Sequence, residues 1–433
     1  DGAFGLWAAA NPATRHLVDG AELADDGLVA SAGPRYFGFV VGGSLPAALG
    51  ADWLASAWDQ NAGLFALSPA AAAVEDVTAG WLVDLLGLPA GASCGFVTGG
   101  LMANFTGLAA ARHQVLAEVG WNVERDGLLG APPVEVVVGE ERHVTIDIAL
   151  RYLGLGSGRT RVVPADDQGR LQADALAEVL AACHGPTIVC AQAGDVNSGA
   201  FDPLRPICQA SREHGAWVHV DGAFGLWAAA NPATRHLVDG AELADSWATD
   251  AHKWLNVPYD SGLAFVARPD AHHAATAKSA SYLLAGQPGE RDPAGLTPEA
   301  SRRARGLPIW AALRSLGRGG VAELVDRCCR HARRFADILG QAPGVEVLNE
   351  VVLNQVLVRF PDPDGGDHDA RTRAVVRRVQ DDGTCWLGGT TWPSSTRQGR
   401  SPMAAMRISV SNWSTTEADV DRSIEAILRA AEV

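Results

Sequence analysis

From Ala72 to Asp221 the chain alternates helical apolar spacing with short, nearly continuous apolar runs, and that alternation restricts it to one class of fold. AVEDVTAGWLVDLLG carries apolar residues at helical intervals, CGFVTGG reads as a strand entering a glycine turn, and MANFTGLAAARHQVLAEVG is helical again. The pattern repeats through PVEVVVGEE, HVTIDIALRYLG, TRVVPAD, ADALAEVLAACHG, TIVCAQAG, PLRPICQASREHG and AWVHVD. Strands that are apolar throughout need cover on both faces, so the spacing predicts an α/β lobe built on a mainly parallel sheet. Past Pro308 a long helical stretch, interrupted around Gly317–Gly320, leads into strands at VEVLN, QVLVRF, TCWLGG and AMRISVSN. These predict a smaller α+β lobe. The expected division is an N-terminal segment 1–33, a large lobe 34–310 and a small lobe 311–433.

The first 25 residues, DGAFGLWAAANPATRHLVDGAELAD, recur unchanged at Asp221–Asp245. Solenoid repeats drift and come in threes or more, so a single perfect copy does not predict a repeat fold. Only the second copy has a strand before it, GAWVHV, and a lysine-bearing segment after it. The first is read as a scar of assembly or rearrangement and left out of the fold.

A formal charge of −15 argues against nucleic acid and anionic membrane surfaces as partners. No apolar run is long enough to span a bilayer. Seven dispersed cysteines without CxxC spacing read as reduced thiols of a cytoplasmic protein, with no metal site.

Of 35 basic residues only Lys253 and Lys278 are lysines. Arginine replaces lysine in most surface roles but cannot form an imine with an aldehyde. A lysine inside a buried-looking stretch of such a chain therefore asks for a chemical explanation. Lys253 lies in such a stretch, SWATDAHKW; Lys278, in ATAKSASY, reads as solvated.

Four pieces carry chemistry. HVDGAFG puts Asp221 at the carboxyl end of a strand, where open α/β sheets bind ligands. Lys253 follows 32 residues later in DAHKW. TGGLMANFTGLAAAR opens a helix with Gly99 and Gly100, a ready phosphate seat. EERHVTIDIALRYLG places His143 at a helix start directly after a strand.

In their order and spacing, and together with PRYFGFVVGGSLPAALGADWL, AQAGDVNSGAFDP and AMRISVSNW, these motifs resemble the pyridoxal-phosphate-dependent group II amino acid decarboxylases, the family of aromatic amino acid and glutamate decarboxylases. The resemblance runs from about Pro34 to the C-terminus. It implies the fold type I architecture of pyridoxal-phosphate-dependent transferases, with pyridoxal 5'-phosphate as cofactor. Lys253 would join the cofactor aldehyde, Asp221 would pair with the pyridine nitrogen, His143 would stack on one ring face and Ala223 would pack on the other. Gly99, Gly100, Ser246 and His252 would hold the phosphate, with Asn197 near the ring hydroxyl. Arg407 would meet the substrate carboxylate, and Tyr36, Phe37 and Asn61 would line the side-chain pocket. A homodimer with interfacial sites and a small amino acid substrate, apolar or aromatic rather than glutamate, complete the expectation.

Three departures stand out. Leu101 occupies a position where many relatives have a serine or threonine, so a hydroxyl donor to the phosphate is missing. Asp195 adds a carboxylate in GDVNSG. The stretch Leu283–Trp310, where relatives carry a proton-donating tyrosine, has none, although Tyr282 borders it. Tyr282 or His143 would then supply the proton, or the outcome would change to transamination or oxidative aldehyde formation. An inactive scaffold of the same fold is the reading of another class.

Overall fold

A computed structural model describes residues 28–278, 291–393 and 401–432 of the chain. The duplicate at 1–25 and Tyr282 lie outside the described residues.

The apolar runs form one seven-stranded sheet in the order β1-β7-β6-β5-β4-β2-β3, where β1 is Ser93–Val97, β2 Glu135–Gly139, β3 Arg161–Val163, β4 Thr187–Gln192, β5 Trp217–Asp221, β6 Ser246–Asp250 and β7 Gly262–Val266. Only β7 runs against its neighbours, pairing antiparallel with β1 and β6. The expected mainly parallel sheet is therefore present. Its strands β5, β6 and β7 are buried at every position, so β7 is apolar throughout and the polar residues of β5 and β6, among them His219, Asp221, Ser246 and Asp250, are enclosed by the fold. Among the helices, α1 (Pro46–Trp58) and α2 (Pro69–Leu85) precede the sheet. Helix α3 (Gly100–Ala117) lies across β5, β6 and β7, and α4 (Val144–Tyr152) follows β2.

A second, antiparallel sheet of four strands contains β8 (Glu346–Val347), β9 (Gln355–Arg359), β10 (Gly388–Trp392) and β11 (Met403–Ser409), in the order β10-β11-β9-β8. The helix Gly306–Gln341 packs against α1, α2 and β9, and kinks at Gly317, whose φ of 62° leaves the helical region. TCWLGG, expected as a strand, joins this sheet only from Gly388. Upstream, the Trp386 N–H donates to the Arg35 carbonyl and the Phe37 N–H to the Trp386 carbonyl, so the early residues pair with the N-terminal segment instead. None of the helices among the described residues is long and apolar enough to cross a membrane.

One buried ion pair ties the segment after residue 291 to the sheet. Arg302 and Glu75 are both buried, 2.8 Å apart, and Arg302 also donates to the carbonyls of Ala62 and Phe96. Removing one partner strands the other charge away from water, which costs on the order of 3–5 kcal/mol. Glu75→Ala is expected to lower the urea midpoint accordingly; a midpoint unchanged from the parent would show that water reaches Arg302.

Lys278, expected to be solvated, is half-buried instead. Its ammonium donates to the carbonyls of Thr276, Ala294 and Thr297 at 3.0, 2.6 and 2.7 Å. Three acceptors around three ammonium protons make it a structural cation. The isolated motif-free stretch held no sign of this, because the acceptors at 294 and 297 are backbone carbonyls brought in by the fold.

Candidate active site

Parallel strands deliver their carboxyl ends to one edge of the sheet, and β5 and β6 bring Asp221 and Asp250 there. The turn that follows β1 reaches the same edge. A Cβ built on Gly99 would stand 3.1 Å from the His252 ring, and one on Gly100 would stand 2.8 Å from Asp250 Oδ2. Glycine is thus required for β6 and the loop after it to approach the start of α3. The free N–H groups of that helix start point at this space.

Lys253 Nζ lies 3.1 Å from Asp250 Oδ2, and His252 Nε2 lies 3.4 Å from Asp250 Oδ1. His252 Nδ1 accepts from the Ser261 N–H, and its ring sits 4.4 Å from that of Tyr259. Asp221, buried at the other end of the site, accepts from Asn104 Nδ2 at 3.0 Å and from the Ala223 N–H at 3.2 Å, with Thr145 Oγ1 3.4 Å away. Gly100 and Asn104 are four residues apart on α3, about 6 Å along its axis. A single helix therefore braces both ends of the site, one with its backbone and the other with a side chain.

His143 stands between them as the N-cap of α4, its N–H donating to Gln192 Oε1. Burial pushes its imidazole below the usual range; Asp221 and Asp250 pull it up, while Lys253 and Arg407 push it further down. Four charged groups from three parts of the chain act on this one ring. Arg407, largely buried on β11, donates to the Val196 carbonyl at 3.3 Å, and Asp195 is its nearest electrostatic counterweight. Ala223 spans the two strand ends, accepting from the Asp250 N–H through its carbonyl at 2.8 Å.

Several expected residues are placed otherwise. Ser246 does not reach the phosphate turn. It begins β6, and four residues of extended chain, about 13 Å, separate it from Asp250. Its hydroxyl is buried against Trp217 and His219. Phe37 faces the core, 1% exposed, its ring edge-on to Phe335 at 5.1 Å. In Asn61 the Oδ1 is engaged by the Gly63 and Arg302 N–H groups, which makes it a turn-former. Asn197 Oδ1 accepts from Thr390 Oγ1 on β10 at 2.9 Å, linking the two sheets. Tyr36 stacks on Trp386 at 4.8 Å and acts electrostatically on Tyr259.

Asp250, Asn104, Thr145 and Tyr259 were missed in the sequence. Asp250 had a signal, as the first letter of DAHKW. So did the loop Phe39–Gly43: Phe39 and Val40 take φ of 52° and 57°, a costly region for side-chain-bearing residues, and a Cβ on Gly42 would stand 1.9 Å from the Lys253 carbonyl oxygen. Asn256 locks that loop, accepting from Gly43 N–H and Trp413 N–H through one oxygen.

The conserved domain of pyridoxal-dependent decarboxylases matches residues 10–360, and the chain belongs to that family. It is 28% identical over 325 residues to L-2,4-diaminobutyrate decarboxylase of Acinetobacter baumannii, covering 71% of this chain and 64% of that one. To aromatic-L-amino-acid decarboxylase of Bacillus atrophaeus it is 28% identical over 334 residues, covering 76% and 67%. The chain thus spans about two thirds of the length of these relatives. The solved structure of Oryza sativa TDC with PLP and tryptamine superposes with a TM-score of 0.84 at 25% identity, covering 93% of this chain and 84% of that one.

The residues present fit pyridoxal phosphate. A glycine cradle at a helix start suits the phosphate, a lysine suits the aldehyde, and a buried carboxylate held by an amide suits the ring nitrogen. One group opposes it: Asp250 Oδ1 is buried without a hydrogen-bond partner at the phosphate end, and its charge is balanced by Lys253. Leu101 and Met102, the next residues of the helix start, bring no hydroxyl to compensate. Dialysis against cofactor-free buffer is expected to strip the protein within hours, and Asp250→Asn to slow that loss several-fold by removing a like charge. Retention of full visible absorbance by the parent protein after exhaustive dialysis would contradict this.

Proposed function

We propose that the chain decarboxylates an L-amino acid with pyridoxal phosphate, residues 34–310 forming the cofactor-binding lobe and 311–433 the smaller one. The observation that carries this reading is the disposition of Lys253 and Asp221 toward opposite ends of one turn of α3, with His143 between them. When bound, the cofactor supplies an aldehyde for the amine and a pyridinium ring that accepts the electron pair of the breaking bond. The chain's own residues do the rest. Asp221 holds the ring nitrogen protonated, because a carboxylate beside it favours the charged form. His143, neutral by burial, covers a ring face without adding charge. Arg407 offers a guanidinium to the substrate carboxylate, its Nη1 steadied by the Val196 carbonyl at 3.3 Å. A loosely held carboxylate can stand perpendicular to the ring, the geometry that favours its loss.

For the proton that replaces carbon dioxide, the described residues offer Tyr259. Tyr259 is 60% exposed; partial desolvation of its hydroxyl raises its pKa, with Asp250 and Tyr36 adding to the rise, so it keeps its proton at neutral pH. Aromatic groups at Tyr36, Phe39 and Trp386 support an apolar or aromatic substrate.

A homodimer completes the reading. Trp53, Leu54 and Trp58 on α1, and Val77 and Trp81 on α2, are exposed apolar side chains on neighbouring elements, more than a soluble monomer usually leaves to water. A cytoplasmic location is kept as part of the proposal, on the strength of free, mostly buried thiols.

The test is a screen of the common amino acids for gas release and product mass. Amine with carbon dioxide supports decarboxylation. Keto acid, or aldehyde with hydrogen peroxide, would replace it with transamination or oxidation, and no visible band after adding cofactor would favour the scaffold.

A further inference from the structure

Behind Asp221 lies a file of buried polar side chains. Trp217 Nε1 is 2.9 Å from Ser246 Oγ, which is 2.8 Å from His219 Nδ1. His219 Nε2 is 2.9 Å from Asn104 Oδ1, and Asn104 Nδ2 is 3.0 Å from Asp221 Oδ2 and 3.1 Å from Thr145 Oγ1. Thr145 Oγ1 in turn is 2.8 Å from His143 Nδ1. Trp217, Ser246, His219, Asn104 and Asp221 are all at most 3% exposed.

The chemistry of the two ends dictates the direction of every bond. An ionised carboxylate only accepts, so the Asn104 amide must turn its NH₂ toward Asp221 and its oxygen toward His219. His219 must then carry its proton on Nε2, leaving Nδ1 to accept from the Ser246 hydroxyl. The Ser246 oxygen is free to accept from Trp217, whose indole only donates. The Trp217 donor is compatible with this order, since the Ser246 oxygen has a lone pair left for it. The second Asn104 proton goes to Thr145 Oγ1, and the single Thr145 hydroxyl proton goes to the nearer of its two acceptors, His143 Nδ1 at 2.8 Å rather than Asp221 at 3.4 Å, a nitrogen that the Thr145 N–H also addresses at 3.4 Å.

We propose that Trp217, Ser246, His219 and Asn104 form one directional hydrogen-bond chain that positions Asp221 for the cofactor nitrogen and sets His143 as the tautomer with its proton on Nε2. These four are positioning residues, acting through Asp221 and His143. The fold is cut to admit the chain. A Cβ on Gly107 would stand 2.7 Å from His219 Cε1 and 2.8 Å from Nδ1, so the glycine three residues after Asn104 lets α3 settle onto the imidazole. Burial pushes His219 down to about 4, with Asp221 opposing, in keeping with a ring that stays neutral while donating from one nitrogen. Register explains the alignment: His219 and Asp221 are two apart on β5 and share a face, and β6 pairs Ser246 with His219.

This inference rests on Asp221 being the cofactor-nitrogen partner, but its first test does not need cofactor. In the full chain labelled with ¹⁵N-histidine and freed of cofactor, the His219 signal, assigned by its absence in His219→Gln, is expected to show a protonated Nε2 and an unprotonated Nδ1 at neutral pH. The opposite tautomer, or an imidazolium, would overturn the chain whatever the protein's activity. The second test is cofactor affinity by absorbance titration. His219→Leu is expected to weaken it about tenfold, because it leaves the Asn104 oxygen buried and unpaired. His219→Gln retains a donor at the Nε2 position and is expected to recover most of that loss. Equal affinities in the leucine and glutamine variants would refute a positioning role. Should His219→Leu fail to fold, Ser246→Ala removes a single hydroxyl: the chain requires the His219 signal to lose its single tautomer, and an unchanged spectrum counts against it. Loss of borohydride labelling at Lys253 tests the underlying reading separately.

Discussion

Lys253→Ala is expected to abolish borohydride-fixed cofactor and to slow amine formation by on the order of 10⁴-fold, the scale seen when a covalent catalyst loses its nucleophile. The reasoning is chemical scarcity. Lys253 is the one amine at the site, 3.1 Å from Asp250 and next to His252, which faces the glycine turn. The other lysine cannot stand in for it, because Lys278 spends its three protons on three backbone carbonyls. Arginine, which supplies every other basic side chain of this protein except histidine, is protonated at any working pH and forms no imine. Mass spectrometry of the reduced protein checks this directly. A cofactor label that survives in Lys253→Ala would sink the assignment of the site.

Asp221→Asn is expected to reduce kcat by about 10²–10³-fold with a much smaller change in KM, since the substitution keeps the shape and removes the charge. A carboxylate stabilises the pyridinium form of the ring, whereas an amide does not, so the loss falls on the step in which the ring receives electrons. The surroundings sharpen the expectation. Asn104 donates to Oδ2 of Asp221 and the Ala223 N–H to Oδ1, so an asparagine at 221 can offer its oxygen to only one of them and turns its NH₂ on the other. Steady-state kinetics on the preferred substrate are the measurement. A kcat within about threefold of the parent would remove the electrostatic role from Asp221.

Both variants touch residues that the sequence made visible, and the reason is local. HVD and DAHKW are short motifs in which the functional atom sits at the end of a strand or in the loop just beyond it, so a strand prediction already places it. The glycine turn before α3 is equally local, since Gly99 and Gly100 announce a close approach of backbone. The alternation of helical spacing with short, mostly apolar runs likewise predicted the mainly parallel sheet, because strands covered on both faces are dominated by apolar residues.

Ser246 shows where such reading stops. The family resemblance implied Ser246 at the phosphate, yet an extended strand carries a residue away at about 3.3 Å per position, and Ser246 ends up behind the sheet edge with Trp217 and His219. Asn104, Thr145 and His219 carried no motif of their own. Their role depends on which face of α3 meets β5 and on the register that sets Ser246 beside His219. Phe37 and Asn61 were adjacent to site motifs and turned inward or into turns, a choice made by the packing of Phe335 and Arg302.

By itself, then, the order of residues determined the α/β class and singled out the lysine and the carboxylate proposed to carry the chemistry, because these depend on periodicity and on groups with no chemical substitute. Tertiary structure alone decided what surrounds them: the Asp250 counter-charge at the phosphate end, the strained loop against Lys253, and the direction of the hydrogen bonds behind Asp221. The loop and the hydrogen bonds join segments that are distant in the chain, and Asp250, only three residues from Lys253, meets the distant Gly100 through the packing of β6 on α3. Helix face, strand register and the room left by a glycine bring them together, and no local pattern encodes such distances.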